Sequence, residues 1–117
     1  MLEVQRVFIA DIREQSLDIA ESCGLKGIYA LSSEVERNGP YDLIVEAAGY
    51  AKALHTALKN VEHNGRIVVI GRDTGDLVLP NSLFEQFMRK EALIQGCWGY
   101  SIREERKLVS DVLRRNL

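Results

Sequence analysis

Four short apolar runs of strand length recur along this chain: Arg6–Asp11 (RVFIAD), Tyr41–Gly49 (YDLIVEAAG), Arg66–Gly71 (RIVVIG) and Ala92–Trp98 (ALIQGCW). A run that is apolar throughout, and not alternately apolar and polar, suits a strand covered on both faces, as in a parallel sheet. The segments between them carry helical spacing. Glu14–Cys23 places Leu17, Ala20 and, less regularly, Ile19 on one face, with Gly24 where a helix commonly stops. Ala51, Leu54, Ala57, Leu58 and Val61 form a second stripe, Phe84, Phe87 and Met88 a third, and Glu104–Arg115 a fourth with Leu108, Val109, Val112 and Leu113 directed inward. Strands alternating with helices at this spacing predict right-handed βαβ units and hence an α/β fold with a doubly wound parallel sheet.

Between these elements the pattern is thinner. Gly27–Leu31 reads as a brief strand, SSEVERNGP as a polar loop, His63-Asn64-Gly65 as a turn, RDTGD as a loop and LVLP as a short extended piece. No internal repeat, low-complexity tract or linker interrupts the chain.

At 117 residues the chain fits one domain. Hydrophobic residues at 46% and charged residues at 27% are the balance of an ordinary globular protein. The net charge of -2 and a pI near 5.7 offer no attraction to phosphate backbones or anionic lipid, so neither nucleic acid nor a membrane is an expected partner. No apolar run is long enough to span a bilayer and no leader pattern opens the chain, which makes the cytoplasm the expected compartment. Cys23 and Cys97 lack a partner pattern and read as free buried thiols; His55 and His63 fall outside metal-ligand spacing, so no metal site is expected.

In open parallel sheets ligands bind beyond the carboxyl ends of the strands, which directs attention to Asp11, Glu46–Gly49, Ile70–Arg72 and Gly96–Trp98. An acidic side chain ending an early strand can accept hydrogen bonds from ribose hydroxyls while repelling a 2'-phosphate. Asp11 fits that role and favours NAD over NADP, although an Asp in this position also caps helices, and Arg13 beside it has the chemistry to take a 2'-phosphate. The EAAG loop and the IGR step have little bulk; each would let a ligand lie against backbone, and each would equally serve close helix packing or a turn.

Taken in order, VFIADI, YDLIVEAAG, NGRIVVIG, LVLP and FMRKEALIQGCWGYS resemble the zinc-containing medium-chain dehydrogenases, most closely those acting on sorbitol, threonine and galactitol-1-phosphate, over nearly the whole chain. The resemblance implies a Rossmann-type nicotinamide-binding domain in which Asp11 binds the adenosine ribose with Ile12 and Arg13 beside the adenine. It implies that Ala47, Ala48 and Gly49 lie near the cofactor's ribose and pyrophosphate side. Ile70, Gly71 and Arg72, with the backbone around Cys97 and Trp98, would approach the nicotinamide ribose and ring. No residue is assigned a catalytic role.

The departures are equally informative. The G-x-G-x-x-G phosphate loop of that family has no counterpart, MLEVQ resembles the end of the helix after that loop, and the family's zinc ligands are absent. The expectation is therefore an incomplete Rossmann sheet over residues 1–117, without its first strand or a catalytic zinc domain. The chain would be a fragment of an NAD-dependent, zinc-type alcohol or polyol dehydrogenase, with weak or absent NAD binding and no turnover alone. In strand order 3-2-1-4-5-6 the first strand lies between those holding Asp11 and Glu46, so the chain would pair those two directly, swap elements with a neighbour, or depend on a partner. In the family the strand matched by Ala92–Trp98 pairs across a two-fold axis, which implies a homodimer through that edge; the other reading is an edge covered by the last helix. A noncatalytic dimerisation or interaction module, alone or with a full-length subunit, is the alternative function. An adenosylmethionine-dependent methyltransferase is a third, against which RIVVIG to GCW argues.

Overall fold

The computed structural model describes residues 6–99 and 106–116. Strand β1 (Phe8–Asp11) leads into helix α1 (Glu14–Ser22), strand β2 (Lys26–Tyr29), helix α2 (Glu34–Asn38) and strand β3 (Tyr41–Glu46). Helix α3 (Ala51–Asn60), strand β4 (Val61–Val69), helix α4 (Asn81–Arg89), strand β5 (Leu93–Gly96) and helix α5 (Arg106–Asn116) follow. The expected α/β alternation is present and every strand pair is parallel.

The sheet is in two pieces. β1 pairs with β2, and β3, β4 and β5 form a second sheet in that order. Direct pairing of β1 with β3, one of the expected ways of closing the sheet, does not occur. Instead, the residues that open these strands meet through their side chains, the Phe8 and Tyr41 rings packing edge to face at 5.8 Å. Aromatic pairs favour that geometry.

Local chemistry sets the element ends. α1 stops because Gly24 takes a positive φ of 77°, which lets the Gly24 N–H reach the Glu21 carbonyl and the Leu25 N–H reach the Ala20 carbonyl. α3 is closed from outside: Lys90, just past α4, donates from Nζ to the carbonyl of Lys59 at 2.7 Å and more weakly to that of Leu58 at 3.4 Å. The core of the larger sheet lies under these two helices and consists of Ala57, Leu58, Val61 and Ile67, packed with Ile44, Leu54, Val69, Leu79, Phe87 and Ala92. Ala20, Ile28 and Val35 are the buried apolar residues of the smaller unit.

Several expectations need correction. SSEVERNGP is not wholly a loop, because Val35 is buried and draws Glu34–Asn38 into a helical turn-and-a-half. Val61 belongs to β4 and not to α3. The turn expected at His63–Gly65 is a bulge inside β4, with Asn64 at φ 57° and its N–H donating to the Lys90 carbonyl, and the pairing with β3 jumps from Tyr41↔Val61 to Leu43↔Arg66. Val112 and Leu113 are exposed, contrary to the inward placement assigned to them, as are Ile19, Phe84 and Met88. Both cysteines are free, as expected, but exposed and not buried. MLEVQ, the expected helix start at Glu104 and the side chain of Leu108 lie outside the described residues.

Candidate functional site

Parallel pairing brings the strand ends level. Glu46 pairs with Val69 and Val69 with Gly96, so the three loops that follow, 47–49, 70–72 and 97–98, leave one edge of the larger sheet side by side. They are also bonded to one another: the Ile70 and Gly71 N–H groups donate to the Glu46 carbonyl at 2.9 Å, and the Cys97 N–H donates to the Val69 carbonyl at 2.9 Å. Arg72 places its guanidinium 5.7 Å from the centre of the exposed Trp98 ring. Eight of the eleven expected contact residues thus serve one surface: Ala47, Ala48, Gly49, Ile70, Gly71, Arg72, Cys97 and Trp98 line it, while Asp11, Ile12 and Arg13 follow β1 in the other sheet.

The tightest point is Gly49 against Gly71. Gly49 has φ 66°, and a methyl group on it would overlap the backbone of Arg72; one on Gly71 would overlap the Gly49 backbone and stand 2.6 Å from Glu46 Oε2. Both glycines are therefore required by approach, and Gly49 by conformation as well. The close approach is between the backbones of the two loops, and not the helix packing or the turn named as alternatives, and the same contact leaves a strip of bare backbone.

The strand-end rule takes in Glu46 with the loop that follows it but gives its side chain no role of its own. It is 5% exposed, and its Oε1 accepts the N–H groups of Ala48 at 2.8 Å and Gly49 at 2.9 Å. The available signal was its acidity at the end of an otherwise apolar run, since a buried carboxylate must find donors. It also lines a cavity of about 180 Å³ with Gly49, Tyr50, Leu54, Gly71 and Asp73, among others. A larger hollow, about 340 Å³, lies at the amino ends of β1 and β2 beside Arg6, Phe8 and Lys26. It is the wrong end of a parallel sheet for ligand binding, and the smaller cavity is the better candidate.

Asp11, Ile12 and Arg13 follow β1 in the smaller sheet. Arg13 folds back on Asp11: its backbone N–H donates to Oδ1 at 2.9 Å and its guanidinium reaches Oδ2 at 3.2 Å. The Arg13 side-chain hydrogen bond, aided by its backbone N–H, lowers the Asp11 carboxyl from 3.8 to about 2. Asp11 is therefore ionised at neutral pH with its charge already countered by an exposed arginine. No hydrogen bond, ion pair or ring contact joins this trio to the β3–β5 edge among the described residues. Nor do those residues include a group of three His, Cys, Asp or Glu side chains placed to hold a metal ion, and no helix among them is long and apolar enough to cross a membrane.

Residues 1–114 match the family described as zinc-binding dehydrogenase. An L-threonine 3-dehydrogenase of Cutibacterium acnes is 26% identical over 121 residues, which take in 97% of this chain and 34% of that protein. Galactitol-1-phosphate dehydrogenase from Escherichia coli superposes with a TM-score of 0.73 at 27% identity, covering 86% of this chain and 32% of that one. An alcohol dehydrogenase from E. coli CFT073, solved with NADH, superposes with a TM-score of 0.80 at 22% identity over 97% of this chain and 34% of its own, a likeness of fold. The chain spans about a third of the length of the relatives it matches.

Proposed function

Because this chain belongs to the zinc-binding dehydrogenases, we propose that it supplies the cofactor-binding side of an NAD-dependent oxidoreductase acting on a secondary CH–OH group of a polyol or related substrate. The observation that carries the reading is the level β3–β5 edge, where Gly49 and Gly71 meet without side chains and Arg72 and Trp98 flank them. Bare backbone at the carboxyl ends of parallel strands admits a flat ring and a sugar at close range. Asp11 offers an ionised carboxylate to ribose hydroxyls, and the preference for NAD rests on that acceptor, because Arg13 already counters its charge.

The bound dinucleotide would accept or give hydride; the residues of this chain bind and orient it. Zinc in the parent family polarises the alcohol, and the described residues present no ligand set for it. Titration of the chain with NAD and NADP, followed by calorimetry and amide shifts, tests the reading. NAD should perturb Gly49, Gly71 and Arg72 at lower concentration than NADP does; a preference for NADP, or perturbations confined to the opposite sheet end, would sink it.

A second reading, a dimerisation or interaction module, is favoured by one observation: every residue of β5 is exposed, and beyond β4 it has no further strand partner among the described residues. Leu93, Ile94 and Trp98 give that edge an apolar character suited to pairing with a second copy or a full-length subunit. Ile94→Lys should convert a dimer to a monomer in sedimentation, and a wild-type monomer at high concentration would dismiss the homodimer. The proposed compartment is the cytoplasm.

A further inference from the structure

Four of the residues proposed to contact the cofactor give their backbone N–H groups to one amino acid. Ala48 and Gly49 donate to Glu46 Oε1, and Ile70 and Gly71 donate to the Glu46 main-chain carbonyl. A loop that grips phosphate does so with free N–H groups pointing at the anion. Here those donors are already engaged, and the residue engaging them is an acidic one that is almost wholly buried. A phosphate arriving at this edge would have to displace a carboxylate from its donors while facing its charge.

We infer that Glu46 is the positioning residue of this edge: it locks the 47–49 and 70–71 loops together and makes the surface between them reject phosphate, leaving it to a neutral, hydroxylated or ring-shaped part of a ligand. The inference rests on the cofactor reading for the identity of that ligand, and on the hydrogen bonds alone for the lock. Of the ribose and the pyrophosphate side expected beside Ala47, Ala48 and Gly49, it selects the ribose for Ala48 and Gly49. Their N–H groups are turned to Glu46, so they serve the sugar and nicotinamide side, where Gly49 and Gly71 lie back to back. Ring and sugar would rest on Cα atoms.

The test is residue-resolved amide exchange on the full chain, with nicotinamide riboside and inorganic pyrophosphate as probes. In the wild type the Ala48 and Gly49 amides are expected to be protected. Glu46→Gln, which keeps an acceptor oxygen, should leave that protection nearly intact, whereas Glu46→Leu, which fills the space without accepting, should speed exchange at both amides about tenfold or more. Val68 in β4 serves as the reference for an intact sheet. Nicotinamide riboside should shift Gly49 and Gly71 in the wild type, and pyrophosphate should leave the Ala48 and Gly49 exchange rates unchanged. Should pyrophosphate protect those amides further, or should they exchange freely in the wild type, the lock is refuted. If Glu46→Leu does not fold, the wild-type exchange and pyrophosphate measurements still decide the matter. If the exchange pattern holds and nicotinamide riboside shifts nothing, the cofactor reading fails and the lock stands.

Discussion

Replacing Gly71 by alanine probes the contact on which the candidate site depends. The added methyl would meet the Gly49 backbone, with Gly49 Cα and Glu46 Oε2 each 2.6 Å away. None of these is the free end of a flexible chain: Gly49 is fixed by its N–H bond to Glu46, and Glu46 by its burial. Overpacking against groups that cannot swing aside costs about 1–3 kcal/mol, which in a domain of this size lowers the melting temperature by roughly 4 °C or more. Gly49→Ala should cost more, since its φ of 66° adds about 1 kcal/mol for a residue with a Cβ to the overlap with Arg72. Gly75 is the control in the same stretch of chain, because a methyl there meets nothing within 4 Å; its alanine variant should stay within about 0.5 kcal/mol of wild type. Urea unfolding followed by circular dichroism would rank the three. If Gly71→Ala proved as stable as Gly75→Ala, the two loops would not be in the contact described, and the bare-backbone surface would lose its basis.

Three further outcomes follow from the same geometry. The Asp11 carboxyl should titrate at about 2 by carbon NMR and return toward 3.8 in Arg13→Gln; because the folded-state value is depressed, its contribution to stability is present above about pH 4 and fades as pH falls toward 2. That contribution is small, as Arg13 is largely exposed, and an unmoved midpoint in Arg13→Gln would discount the pair. Leu58→Ala, at a position with 0% exposure in the main cluster, should destabilise by about 2–5 kcal/mol in urea titrations. Lys90→Met should lose about 1 kcal/mol by uncapping the Lys59 carbonyl, with faster amide exchange at the end of α3 as its local signature.

How much of this was legible in the sequence depends on whether a feature is local or relational. YDLIVE and RIVV announced strands because apolar β-formers in an unbroken run have few other homes, and their parallel order followed from the helical stretch between them. The strand-end rule then located Gly49, Gly71 and Arg72 at one edge. What the pattern could not carry was the partner each residue would find. Glu46 stands out only once Ala48 and Gly49 turn their N–H groups back to it. Lys90 reads as a surface cation until α4 brings it against the end of α3. Val35 was masked by its polar neighbours, though its burial makes a helix of Glu34–Asn38. Val112 and Leu113 show the converse: helical spacing gives a stripe, and whether anything covers that stripe is a property of the rest of the fold.

The division of the sheet bears directly on where the two halves of the proposed cofactor site sit. Asp11 rides on β1–β2, a two-stranded unit whose buried apolar residues are Ala20, Ile28 and Val35, whereas the Glu46 lock is built on three strands over the Leu58 cluster. A two-stranded sheet is marginal in water without a packed helix, so β1–β2 owes its order mainly to α1. Opening of that unit should therefore require less free energy than opening of β3–β5. Amide exchange should be faster for Ile28 and Ala30 than for Val68, with Ile28→Ala widening the difference and leaving Val68 and Gly49 unchanged. Uniform exchange across both units would mean that they open together, coupled by more than the Phe8–Tyr41 ring contact. If instead the difference is found, ligand bound at the Gly49–Gly71 edge alone should leave Ile28 exchange unaltered, while a dinucleotide that also engages Asp11 should slow it. The Asp11 carboxylate would then act as the clasp that draws the weaker unit onto a ligand already held by the stronger one.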